Sequence, residues 1–387
     1  MNIGKQELQW LINGSAFLGS GGGGAVATGQ QFMNIILALS GGQGVELIGD
    51  GNGVGPGDVG LVIADIGAIS AIEQNQSEAI FYAYEHLNDW LVKNGKPKTT
   101  MLLPIETGPE NTLAPMVAAA RYKLPVFDGD GGGRAVPALQ LSSFANGDKS
   151  FCPTSITNGN GDFMIVNTDT PKDLDDMLRP ITATEQFGNS ASIGLLPIPS
   201  GELKELAVKG SISRAIAVGA YIEALQLNKT EQAAQFKPKV DELRARLLTR
   251  SIVKEFKEST SGAFDFGTCI LHDVGKPDIY TVLLQNENLI MFSSEEGGPV
   301  STAPDSINYL YTDGNPVTNS SIKAGDEIFV VEVKAQPELE TDLIQDGFAE
   351  LLNNIGYYGK PRRVSQSHHQ PLGDVLAKML NARAMSH

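Results

Sequence analysis

TTMLLPIETGPENTLAPMVAAARYKLPVFDGDGGGRAVP, residues 99–137, decides the fold of this chain. Residues 99–104 form an apolar run of strand length. Residues 112–122 carry helical spacing, and 125–128 form a second strand. Strand and helix alternate in the same way upstream. Residues 45–48 and 59–65 read as strands, and 77–92 read as a helix with Ser77 as N-cap and Gly95 beyond its end. This alternation predicts an α/β layer built on a mixed or parallel sheet. From about residue 252 the pattern changes to strands, at 264–271, 279–285, 289–293, 306–311 and 328–333. Residues 201–208, 211–227 and 241–248 read as helices between the two regions. The expected architecture is therefore an α/β N-terminal domain over 1–166 and a β-rich α+β C-terminal domain over 167–387.

Composition narrows the function. The chain has 387 residues, with 41% hydrophobic and only 19% charged, which excludes wholesale disorder. Its net charge of −16 repels nucleic acid and anionic lipid, so neither is an expected partner. The longest apolar runs are strand-length, so no membrane span is expected. Residues 1–13 lack the apolar core of a signal peptide. The two cysteines, Cys152 and Cys269, have no metal-like spacing and fit a reducing cytoplasm. A homo-oligomer is compatible with all of this.

Glycine is unevenly spread, with 29 of 43 in residues 1–200, and its clusters mark three segments that could carry chemistry. FLGSGGGGA (17–25) precedes a helix, so the amides of Gly21, Gly22 and Gly23 could cradle an anion; a tight packed turn is the alternative. The P-loop lysine is missing, which argues against a nucleotide site. In LPIETGPENTLAP (103–115) a strand ends and a helix begins, placing Glu106 and Asn111 where an open α/β sheet faces its ligand crevice. Asn111 could equally be a helix N-cap. In LPVFDGDGGGRAVP (124–137) a strand delivers Asp128 and Asp130, then three glycines including Gly132, then Arg134. Carboxylates in such a place supply a base or hard-metal ligands, and arginine supplies a clamp for a substrate carboxylate. An Asp–Arg pair that merely shapes the loop is the other reading. Of the histidines, His368 and His369 sit in a polar stretch expected to be solvated.

Taken in order, these segments resemble the S-methyl thiohydantoin desulfurase family. The likeness extends through GSISRAIAVGAYIEALQL (210–227), QNENL (285–289) and GYYG (356–359). The resemblance covers roughly residues 10–360, and DGDGGGRA (128–135) is its most specific part. It implies a two-domain cytoplasmic protein, found alongside hydantoinase and oxoprolinase genes, that hydrolyses an S-methylated thiohydantoin to methanethiol and a hydantoin. Two positions depart from the family pattern: Pro109 replaces a glycine, and Ala138 replaces an acid.

The expected activity is hydrolysis of a small anionic cyclic amide or amidine. Asp128, Asp130 or Glu106 would serve as base. Arg134, Asn111 and the glycines would hold the substrate, and Asp128 and Asp130 would ligate a divalent metal if one is used. The alternative is a non-catalytic anion-binding or regulatory subunit.

Overall fold

The computed structural model describes residues 1–49, 53–67, 76–147, 149–361 and 368–384. It contains two large sheets. The first runs, edge to edge, Asn2–Ile3, Val45–Ile48, Val126–Phe127, Met101–Leu103, Val59–Gly67, Ser190–Pro199, Thr154–Thr157 and Phe163–Val166. The four strands from Val45–Ile48 to Val59–Gly67 are parallel, and the flanking ones pair antiparallel. It is thus a mixed α/β sheet. The second sheet is antiparallel throughout, running from Gly298–Thr302 through Glu287–Ser293, Ile279–Gln285, Phe264–Asp273, Arg244–Ser261, Glu327–Val333 and Ser306–Tyr311 to Pro316–Val317. The two regions match the expected fold class.

Strand Val59–Gly67 shows why the first sheet is central. Leu61 and Ile63 point into one core, and Val62, Ala64 and Ile66 into the other. A strand buried on both faces reads as a continuous apolar run, as this one does. One face is covered by helices Lys5–Leu18, Val26–Leu39, Ala114–Tyr122 and Ser211–Gln226. The C-terminal helix Leu372–Ala384 joins the same core through Leu372, Val375, Leu376 and Met379. The other face packs on Leu174 and Leu178 of helix Pro171–Thr182 and on Phe348 of helix Asp342–Asn354.

One expectation needs correction. Residues 241–248 are not a helix: strand Arg244–Ser261 begins there. Ala245, Thr249, Ser251 and Val253 are buried in alternation with more exposed neighbours, and a bulge between Leu247 and Thr249 adjusts the phase. Period two with β-branched residues prevails over a short basic stretch. The first sheet also continues beyond residue 166. Strand Ser190–Pro199 pairs inside the first sheet, and helices Ser211–Gln226 and Thr230–Val240 contribute to the first core, so the second sheet starts only at Arg244.

Helices Lys5–Leu18 and Ser211–Gln226 cross where each carries a glycine. A Cβ on Gly14 would lie 1.8 Å from the Ala215 carbonyl oxygen, and one on Gly219 would lie 1.9 Å from that of Trp10. Backbone cannot yield as a side chain does, so Gly219→Ala should cost about 1–3 kcal/mol or more. A lower urea midpoint than wild type is the expected result. Gly201→Ala, whose Cβ meets open space, should leave the midpoint in place.

Candidate functional site

The three parallel strands that end beside one another feed one cavity. Strand Val59–Gly67 supplies Asp65 at its C-terminal end. The loop after Met101–Leu103 supplies Glu106, Glu110 and Asn111. The loop after Val126–Phe127 supplies Val136 and Ala138. Gly23 and Gly24 close one side, and Asn286 and Glu287 of the second sheet close another. The void is about 70 Å³, on the order of five water-sized volumes, which suits a small ligand.

Glu106 is the centre of the bonding. Its Oε1 accepts from Asn111 Nδ2 at 2.7 Å and its Oε2 from the Val136 amide at 2.6 Å. Asn111 Oδ1 accepts from the Asp65 amide at 2.8 Å. Asn111 therefore ties two strand ends together and does not cap the helix, whose N-cap is Leu113. Burial lifts the Glu106 carboxyl to about 7, against the opposing pull of its two hydrogen bonds. Glu287 is also buried and is raised well above the usual carboxyl range, by burial and then by the charge of Glu106. Its Oε2 has no hydrogen-bond partner.

The glycine run is a meeting point. Gly23 and Gly108 touch backbone to backbone: a Cβ on Gly23 would fall 2.5 Å from Gly108 Cα. The Gly23 carbonyl accepts from the amides of Glu110 and Asn111 at 3.1 and 3.2 Å. Gly22 lies under Glu287, with no room for a Cβ, and Gly21 lies under Asn319. Gly23 and Gly24 line the cavity, whereas Gly21 and Gly22 are packed behind it. Of the amides expected to hold an anion, that of Gly22 donates to the Gly19 carbonyl at 2.9 Å and that of Gly23 bonds Glu287, while the next amide along, Ala25 N–H, donates to Glu110 Oε2 at 3.4 Å.

The DGDGGGR segment is placed differently from expectation. Asp128 stands outside the cavity and accepts from the Ser213 amide at 2.9 Å, capping helix Ser211–Gln226. Asp130 is fully buried and accepts from the Gly132 and Gly133 amides at 2.9 and 2.7 Å and from Thr107 Oγ1 at 2.5 Å. It braces its own loop, with Gly132, against the residue next to Glu106. Arg134 also stands outside the cavity. It donates to the carbonyls of Ala135 at 2.8 Å, Pro304 at 2.8 Å and Asp305 at 3.0 Å, strapping the first sheet's loop to the second sheet's. Its Nη2 is buried without a partner, and the charges of Glu287, Asp305 and Glu106 act on the guanidinium.

Among the described residues, metal-ligand proximity of three groups occurs only at Asp305, Glu332 and His369, not at Asp128 and Asp130. Glu332 there is already bound by Arg246 at 2.6 and 2.9 Å and by His369 Nε2 at 2.8 Å. Burial alone would raise its carboxyl; those partners hold it at about 2. His369 is thus buried in an ion network rather than solvated, because Glu332 offers it a partner from a distant strand.

Sequence reasoning did not name four charged residues of the cavity wall as site residues, Asp65, Glu110, Arg179 and Glu287. Glu287 lies in QNENL, a motif quoted only for its family likeness. Arg179 lies on helix Pro171–Thr182, where an isolated arginine carries no local signal.

Residues 6–168 match the model for the S-Me-THD-like N-terminal domain, and 169–344 match that for the S-Me-THD-like C-terminal domain. The chain belongs to the S-Me-THD-like family. No curated protein matches it. A protein from Chromobacterium violaceum, solved by X-ray crystallography as a structural genomics target, has the same fold. It superposes with a TM-score of 0.78 at 24% identity, covering 94% of this chain and 100% of that one. Among the described residues no helix is long and apolar enough to cross a membrane.

Two outcomes test these assignments. Arg134→Met should unfold at markedly lower urea concentration, losing about 3 kcal/mol or more, since three carbonyls lose a charged donor. Glu287→Gln should change how stability varies with pH. A carboxyl raised on folding binds its proton more tightly in the folded state, so its stabilising effect is complete below pH about 4.5 and fades as pH rises through the folded value. Denaturation curves should therefore show the variant gaining on wild type from acid to alkaline pH. Parallel pH dependence of the two proteins would contradict the burial of an ionisable carboxyl there.

Proposed function

We propose that this protein is a hydrolase of a small five-membered cyclic amide or amidine, such as an S-methyl thiohydantoin. The observation that carries the reading is a pair of buried carboxyls, Glu106 and Glu287, both raised by burial, on the wall of one small cavity at the strand ends. Environments that raise two carboxyls in one site suit them to exchange protons with a substrate there.

Glu106, with a value of about 7, is the base. Water attacks the ring carbon that bears the S-methyl group, and its proton passes to Glu106. Glu287, protonated, donates to the ring nitrogen that receives the C=N electron pair. The tetrahedral carbon then reforms a C=O bond. The hydroxyl proton returns to Glu287, and the C–S bond breaks with the Glu106 proton leaving on methanethiol. Both carboxyls end as they began, and the ring is left as a hydantoin. Asn111 holds Glu106 in place, and Asp130 positions the loop that carries it.

A binding role without chemistry draws on one observation. Ala138 lines the cavity at the position where the family resemblance places an acid. Turnover separates the two readings. Wild-type protein should release methanethiol from an S-methyl thiohydantoin, with kcat/KM rising as pH passes through about 7, because the base must be ionised. Glu106→Gln should lower kcat by roughly 10²–10⁴-fold. A ligand that binds and stays intact on prolonged incubation with wild type would favour the binding role.

A further inference from the structure

The donors on the cavity wall bear on which ring it accepts, and this step rests on the site assignment above. Among the described residues Arg179 is the only cation that lines the cavity. A guanidinium has five N–H groups. Four of these are committed. Nε–H and one N–H of Nη2 go to the Asp175 carboxylate at 3.3 and 3.4 Å. The other N–H of Nη2 goes to the Pro137 carbonyl at 3.1 Å, and one N–H of Nη1 goes to the Ala263 carbonyl at 3.2 Å. The second N–H of Nη1 has no acceptor among the described residues, although Arg179 is only 9% exposed.

Asn286, also buried on this wall, repeats the pattern. Its Oδ1 accepts from the Asp265 amide at 2.8 Å, while its Nδ2 has no acceptor among the described residues. One short segment anchors both side chains. Ala263 receives Arg179, the Phe264 ring centroid lies 3.9 Å from the guanidinium carbon, and Asp265 holds Asn286. The two uncommitted donors therefore stand at the same end of the cavity, beside Glu287. Arg134 Nη2 is a further buried donor without a partner, but Arg134 does not line this cavity. A buried donor without an acceptor is costly, and a ligand oxygen removes that cost. A neutral carbonyl oxygen is the better match. Asp175 already meets the charge of Arg179, and a carboxylate would add negative charge beside Asp65 and Glu110.

We infer that Arg179 and Asn286 receive a ring carbonyl oxygen other than the one formed at the reacting carbon. The substrate class is then five-membered rings that carry such a carbonyl beside the amidine or urea unit. Arg179 is the specificity-determining residue, because its remaining N–H is the charged donor at that end.

Two neutral rings that differ by this oxygen test the inference: hydantoin, and 2-imidazolidinone, which keeps the urea unit and lacks the second carbonyl. Calorimetry on the full chain at neutral pH should show hydantoin binding about tenfold or more tighter, as a hydrogen bond from a charged donor provides. In Asn286→Asp the Oδ1 acceptor is kept for the Asp265 amide, and aspartate tolerates the backbone there, at φ +56°. Only the Nδ2 donor is lost. Hydantoin should weaken about tenfold in this variant, with 2-imidazolidinone unchanged. Arg179→Lys should act in the same direction, with a lower urea midpoint from its lost bonds to Pro137 and Ala263. Equal binding of the two rings by wild type, binding of neither ring, or an undiminished preference for hydantoin in Asn286→Asp would each overturn the inference. Methanethiol release from an S-methyl thiohydantoin is measured on the same preparation. Preference for hydantoin without turnover keeps the carbonyl-binding pair and removes the hydrolase reading. Turnover with equal binding of the two rings does the reverse.

Discussion

The contact on which the site depends is the one between Gly23 and Gly108, two backbones that meet with no side chain between them. It brings the loop that carries Glu106 and Asn111 against the glycine run, and the same run receives Glu287 and Asn319 from the second sheet. Ser20, just before it, donates from Oγ to the Asn288 carbonyl at 3.1 Å, and its own amide donates to Asn308 at 3.0 Å. One short segment therefore joins both sheets. Any Cβ at Gly22 would sit 2.0 Å from Glu287 Oε1, so even alanine must displace the carboxyl that the proposed chemistry uses. Glycine here supplies clearance, not flexibility.

Burying several carboxyls around one void costs stability, and the surrounding bonds show how the fold tolerates it. Glu106 accepts two hydrogen bonds, and Asp130 accepts three. Both remain raised because desolvation exceeds what those donors return. Arg134 is drawn down to about 10 by burial, against the pull of Glu287, Asp305 and Glu106. The charges are thus spread across the junction, and no single exposed pair dominates.

Much of this was legible in the sequence, and the limits have physical reasons. The strand–helix–strand reading of residues 99–128 located the sheet, and the rule that strand C-terminal ends face the ligand located Glu106 and Asn111 beside the cavity. The glycine run lies at the cavity through Gly23 and Gly24, and the Gly23 amide bonds the internal Glu287. DGDGGGR was read as one cluster, but its members part: Asp130 satisfies itself on the glycine amide two residues on, while Asp128 and Arg134 take partners far along the chain. Glu287, Arg179 and His369 were not legible as partners. Each acquires its neighbour from a strand or helix far along the chain, and no local spacing encodes such a contact.

The same long-range origin ties the chemistry to assembly. Glu106 belongs to the first sheet and Glu287 to the second, and the charge of Glu106 raises Glu287 across the junction. Apart, each carboxyl would regain water and return toward its ordinary range. Docking of the sheets therefore keeps both raised. Arg134, Ser20 and the Gly23–Gly108 contact hold that docking without entering the reaction. In this fold the residues most diagnostic by motif brace the cavity from outside it, while a glutamate carried by the opposite sheet lines its wall.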